Sequence, residues 1–136
     1  MGATTTHDLP TIAGLWTGSD LEDQIAHVPT PRAALERDRA ALLAQLPPVD
    51  SDEVCDVLEA AHRRLAESPC VLLSATLEDA VGQEPRPNMP GTSDRPNWCI
   101  PLPVAVDDLP DHRTAASVAA TLSAAVDAHR VRRARP

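Results

Sequence analysis

The chain has 136 residues, enough for one domain, with an ordinary apolar share of 43% and a formal net charge of −8. That acidic balance speaks against a nucleic-acid partner, because phosphate binding draws on a basic surface that releases counterions. No apolar run approaches the roughly 20 residues of a membrane span, and Cys55, Cys70 and Cys99 are odd in number and lack CxxC spacing, so neither a disulfide framework nor a zinc knuckle is implied.

The opening Met1-Gly2-Ala3-Thr4-Thr5 has neither the basic region nor the apolar stretch of a secretory leader, so the expected compartment is the cytoplasm. With no Phe, no Tyr and only Trp16 and Trp98, the core must be built from Leu, Val, Ile and Ala. All twelve basic residues are Arg. Arg130, Arg132, Arg133 and Arg135 read as a solvated helix end whose cations complement the dipole, in preference to an RNA or membrane patch.

Taken in chain order, residues 3–9 read as the end of a Thr-rich strand running into a loop before Pro10. The stretch around Gly14, Trp16 and Gly18 reads as loop. Ser19-Asp20-Leu21-Glu22 is a capping box that opens a short helix over about 20–27, stopped by Pro29. Thr30 and Pro31 supply an N-cap and an N1 proline, and Leu35, Leu42 and Leu46 then lie near one face of a helix ending at Pro47-Pro48. Ser51 caps the next helix. Its Val54, Val57, Leu58, Ala61 and Leu65 follow the i, i+3, i+4, i+7, i+11 spacing of a buried stripe.

Cys70-Val71-Leu72-Leu73-Ser74-Ala75 is a short apolar run between Pro69 and the polar Thr76-Leu77-Glu78-Asp79, the pattern of a parallel strand buried on both faces. Glu78-Asp79 itself reads as a cap or a solvated turn. From Gly82 to Pro110 the chain is dense in Pro and turn residues, a connection too long for a compact domain unless it serves function. A last, Ala-rich amphipathic helix over about 114–131 starts after Thr114 and carries Val118, Leu122 and Val126. One or two strands cannot form a sheet alone, and their open edges predict that part of this fold lies elsewhere.

Two motifs carry chemistry: Thr6-His7-Asp8-Leu9-Pro10-Thr11, and Asn88-Met89-Pro90-Gly91-Thr92 followed by Arg95-Pro96-Asn97-Trp98. With Thr4 and Thr5 before the first and Leu77-Glu78-Asp79 between them, these stretches resemble, in order, the carboxy-terminal portion of the 4-α-glucanotransferases, also called amylomaltase or disproportionating enzyme. The resemblance runs from the first residues to about Asp108 and is less distinctive through the last helix. His27, His62, His112 and His129 show no metal spacing such as HExxH, and no metal or cofactor is expected.

The resemblance implies a retaining glucan transfer on a (β/α)8 TIM barrel, with the reactive groups at the carboxyl ends of the strands. There a nucleophilic carboxylate forms a glycosyl-enzyme intermediate while a protonated carboxyl about 5–5.5 Å away protonates the leaving oxygen, and a second sugar chain replaces water as acceptor. By resemblance, Asp8 matches the third carboxylate, the transition-state stabiliser that holds the cleaved sugar in a distorted shape. His7 matches the histidine that hydrogen-bonds the same sugar, and Asn88 lies in a loop lining the glucan site. Asn97 and Trp98 read as structural, with Trp98 in the core beneath that loop.

The expected class is thus α/β, the last one or two β/α units of a partial barrel, mostly helical as an isolated chain and spanning 1–136 as a carboxy-terminal fragment. Its expected partners are an α-1,4-glucan or maltooligosaccharide and the amino-terminal part of the barrel, with no nucleic acid and no membrane. The nucleophile and acid/base are expected before Met1, so the isolated chain is expected to be inactive. Non-catalytic readings stand beside this one: a split-enzyme half or scaffold, and a small helical binding remnant.

Overall fold

A computed structural model of the chain describes residues 1–133. The side chains of Arg130, Arg132, Arg133 and Arg135, and with them the basic tail, lie outside the described residues. In order come β1 (Gly2–Ala3), α1 (Ile12–Thr17), α2 (Ser19–His27), α3 (Arg32–Leu43), α4 (Val54–Ala66), β2 (Leu73–Ser74), α5 (Leu77–Ala80), a 3-10 helix (Val106–Asp111) and α6 (Arg113–Arg133). The chain is mostly helical, with a small sheet.

Helix α4 is the centre. Its Val57, Leu58 and Ala61 are buried against Ile12 of α1, with Trp16, Leu46, Val49 and Val54 packed around them, and α6 lies across it. The expected stripe is the buried one: Val57, Leu58, Ala61 and Leu65 all face inward. Its cap differs, since Glu53 precedes the helix without a side-chain bond. Ser51 Oγ, two residues before that position, instead accepts the Glu53 N–H at 3.1 Å.

The stretch around Gly14 and Trp16, expected as loop, is helix α1. Thr11 caps it by accepting the Gly14 N–H, and the same hydroxyl donates to the Glu84 carbonyl at 2.7 Å. Gly18, at φ 89, ends α1 and also precedes α2. It occupies the cap position, so Ser19 falls inside the helix and the expected capping box does not form. Helix α3 likewise starts after Pro31 with no cap from Thr30.

The two strands pair in parallel, Gly2 with Leu73 and Ala3 with Ser74. The strand expected to end within residues 3–9 and run into a loop ends at Ala3, and the loop that follows turns with Leu9 N–H donating to the Thr6 carbonyl at 3.1 Å. The run over residues 70–75 expected as a strand buried on both faces is strand only at Leu73–Ser74, where Ser74 is exposed, and Val71 and Leu72 before it are 71% and 59% exposed. Helix α6 starts one residue earlier than expected, and His112 Nδ1, not Thr114, accepts the Ala115 N–H at 3.3 Å. Val118 is buried but Val126 is exposed, so the amphipathic face fades along the helix.

Of the two roles expected for Glu78-Asp79, a cap or a solvated turn, Asp79 takes the first: it is fully buried and caps a helix distant in sequence. Its Oδ1 accepts the Ile12 N–H at 2.8 Å, and its other oxygen accepts from the Thr5 and Thr4 hydroxyls. This carboxylate ties residues 4–12 to α5. The long connection after Gly82 is held differently, by two arginines reaching α2. Arg86 makes a two-pronged pair with Asp20, Nε to Oδ1 at 2.5 Å and Nη2 to Oδ2 at 2.6 Å. Arg95 Nε donates to Asp23 Oδ2 at 2.7 Å.

Two predictions follow from this packing. Asp20→Ala leaves the Arg86 cation buried and unpaired and should lower stability by about 3–5 kcal/mol in urea unfolding, whereas Glu22→Ala on the exposed side of α2 should cost no more than about 1 kcal/mol. Gly14→Ala should cost roughly 1–3 kcal/mol, because a Cβ there meets the Glu84 carbonyl oxygen at 2.4 Å. Unchanged unfolding midpoints would refute either expectation.

Candidate functional site

The turn after β1 presents His7 and Asp8 at the surface, with their side chains 59% and 50% exposed. The Asp79 clamp sets where this turn stands, because it holds the residues on both sides, Thr5 and Ile12. His7 Nε2 lies 3.4 Å from Asp8 Oδ2. The other carboxylate oxygen, Oδ1, accepts a hydrogen bond from Asn88 Nδ2 at 2.7 Å. Residues 80 positions apart therefore meet on one carboxylate. The backbone is held as well, since Arg86 Nη1 donates to the Asp8 carbonyl at 3.3 Å.

The loop that brings Asn88 in is built on Asn97. Its Oδ1 accepts the Met89 N–H at 3.0 Å, and its Nδ2 donates to the Thr92 carbonyl and hydroxyl. Arg95 joins in, giving one N–H to Asn97 Oδ1 at 2.9 Å and another to the Arg86 carbonyl at 2.8 Å. Gly91 turns the loop at φ 81, a conformation that glycine adopts without steric cost. Met89 is buried beneath it. Asn97 thus does the structural work expected of it.

Trp98 does not. It was expected in the core and instead stands 65% exposed, its indole tilted 47° against the His7 ring at a centroid distance of 5.2 Å. Its backbone has φ 63, the left-handed region, and its N–H donates to the Pro87 carbonyl at 2.8 Å. For a bulky residue that conformation costs about 1–2 kcal/mol. No inward packing of the ring offsets the cost.

His7 and Trp98 line one wall of a shallow cavity of about 230 Å³, with Thr6, Thr76 and Glu78 also at its edge. Chemically the arrangement offers an accepting carboxylate steadied by an amide, an imidazole, an exposed indole and several hydroxyls. That set suits a polyhydroxylated ligand: hydroxyls donate to Asp8 while an apolar ring face rests on an aromatic surface. Among the described residues, no cluster of three or more His, Cys, Asp or Glu is arranged to hold a metal ion.

The pairing of Arg86 with Asp20 and of Arg95 with Asp23 escaped the sequence reading. The arginines lie in a Pro-rich stretch without periodicity, so nothing in the sequence tells which side of the chain they face. The aspartates fall in the first turns of α2, where acidic residues are ordinary partners of the helix dipole. The one signal was the presence of two arginines within a connection otherwise poor in cations.

A family model described as 4-alpha-glucanotransferase matches residues 1–106, a span that takes in His7, Asp8, Asn88 and Trp98. The chain is similar to the 4-alpha-glucanotransferases of Mycobacterium bovis and Mycobacterium tuberculosis, 36% identical over 147 aligned positions covering 92% of this chain and 20% of each relative. It spans, that is, about a fifth of the length of the curated relatives it matches. In three dimensions it is similar to the crystal structure of amylomaltase from Corynebacterium glutamicum, with a TM-score of 0.67 and 30% identity over 88% of this chain and 21% of that one. Sequence and fold agree, and the chain belongs to the 4-alpha-glucanotransferase family.

Proposed function

We propose that this chain supplies the sugar-distorting part of a retaining 4-α-glucanotransferase site, acting on an α-1,4-glucan or maltooligosaccharide and passing the cleaved segment to a glucose or maltooligosaccharide acceptor. The observation that carries the reading is the meeting of Asp8 and Asn88, Oδ1 to Nδ2 at 2.7 Å, beside His7. Asp8 is the transition-state stabiliser, and His7 and Asn88 bind the substrate.

The physics of those roles is direct. As the glycosidic bond breaks, positive charge grows at the anomeric carbon and along the ring, and the hydroxyls of that sugar become better donors. A carboxylate already oriented to accept from them binds the distorted, oxocarbenium-like ring more tightly than the relaxed one, and only such a difference lowers the barrier. Asn88 holds the carboxylate at its other oxygen, so little reorientation is needed as charge develops.

In this reading residues 1–136 form the last one or two β/α units of a (β/α)8 barrel, and the nucleophile and acid/base belong to polypeptide outside this span. The open-edged pair of β1 and β2 and the exposed Val71 and Leu72 support it, because a barrel strand is covered on both sides by neighbours. The same edges suit a split-enzyme half that meets a separate polypeptide. No metal or cofactor enters the chemistry.

Purified residues 1–136, incubated with maltotriose, should release no glucose and form no longer oligosaccharides; losing the nucleophile of a catalytic unit costs on the order of 10⁶ in rate. Clear disproportionation would overturn the fragment reading. Co-expression with the portion of a related enzyme outside the matched segment tests the site itself. In a complex that recovers transfer, Asp8→Asn should lower kcat by about 10²–10³, the loss seen when one preorganised polar group is removed from a transition state. Asn88→Ala should cost less. Full activity in the Asp8→Asn complex would remove Asp8 from the mechanism.

A further inference from the structure

We propose that Trp98 is a sugar-stacking platform, on which one glucose ring of an α-1,4-glucan lies beside His7. The inference rests on the glucan-binding reading above and extends it to a residue whose sequence context spoke for a structural role. Three independent observations converge on it. The side chain is 65% exposed although it is one of only two tryptophans in a chain without Phe or Tyr. The other, Trp16, packs on the core, so Trp98 is the large ring this chain has to offer a ligand. The backbone beneath it is held at φ 63.

A strained backbone that serves to bury a ring is unremarkable, but here the strain presents the ring to solvent. The Asn97 network and the Arg95–Asp23 pair hold the residues just before Trp98, and its own N–H is held by the Pro87 carbonyl, so the backbone that carries the indole is tied down while the ring itself rests against His7. Residues kept in sparsely populated conformations by surroundings that over-determine them cluster at ligand sites. The ring leans on His7 at 5.2 Å and closes one wall of the cavity whose edge carries Thr6, Thr76 and Glu78.

That combination selects a pyranose. A glucose ring has a face of C–H groups, weakly positive, that settles on the negative face of an indole, and an equatorial belt of hydroxyls that needs acceptors and donors around it. The cavity supplies both, with the aromatic wall at Trp98 and polar groups at Thr6, Thr76, Glu78 and His7. A flat apolar ligand would leave those polar groups unpaired, and a free anion would meet Glu78.

The test is a maltoheptaose titration of isotopically labelled residues 1–136 followed by NMR, with thermal melts of each variant. The Trp98 indole N–H should shift on titration. Trp98→Ala should weaken binding about tenfold and Trp98→Phe should retain most of it, since a phenyl face still stacks. Trp98→Gly should lose binding as Trp98→Ala does while melting no lower than the parent, because glycine relieves the positive φ. If Trp98→Ala binds as tightly as the parent while Asp8→Ala and Asn88→Ala lose affinity, the platform is refuted and the glucan reading stands. If the parent shows no shift up to the solubility limit of the sugar, both fall. A Trp98→Gly variant that melts well below the parent makes the ring structural and also refutes the platform.

Discussion

Arg86 is the point at which three parts of the chain are joined. Its guanidinium holds Asp20 of α2 with both prongs, its Nη1 reaches the Asp8 carbonyl, and its own carbonyl receives an N–H from Arg95. Both ionised groups of the pair are almost fully buried, at 7% and 3% side-chain exposure. Removing two charges from water is costly, and only close, two-pronged geometry with the remaining polar atoms satisfied offsets it. Asp20 meets that condition, since Gln24 Nε2 also donates to its Oδ2 at 2.6 Å. Displacing the loop would leave two buried ions unmatched, which makes breaking the pair costly even where its net contribution to stability is small.

From that constraint the site follows in steps. With Arg86 placed, the carbonyl of Asp8 and the start of the 87–98 loop are placed relative to each other, and Asn88 comes within reach of the Asp8 carboxylate. Arg95 and Asn97 then fold the loop onto itself, and Trp98 emerges against His7. Rigid, buried polar links lie below, and half-exposed reactive groups lie above. For the role proposed for Asp8 this division is apt, since a carboxylate that accepts from sugar hydroxyls needs both access and a fixed position.

The sheet shows the opposite economy. Two strands of two residues each form a parallel pair with open edges, and such a pair has little stability of its own. It is sustained by the helices and by Asp79, which ties the chain after β1 to the helix after β2. Val71, Leu72 and Leu77 remain outside, an apolar strip beside an unpaired backbone. Strand edges of that kind accept further strands, which is consistent with a segment whose relatives are several times longer.

What the sequence determined by itself was whatever depends on neighbours along the chain. The α4 stripe from Val57 to Leu65 was legible because a helical period of 3.6 residues places those side chains on one face wherever the helix docks. The family was legible because His7-Asp8 and Asn88 to Thr92 are contiguous words in a fixed order. The short helix α1 was not, because its cap, Thr11, and its close approach to Glu84 gain their meaning from a residue over seventy positions away. The burial of Asp79, the Arg86–Asp20 and Arg95–Asp23 links and the outward turn of Trp98 were decided only by the tertiary structure. Each depends on which groups lose water together, and that pairing is set by the three-dimensional path of a Pro-rich loop without periodicity of its own.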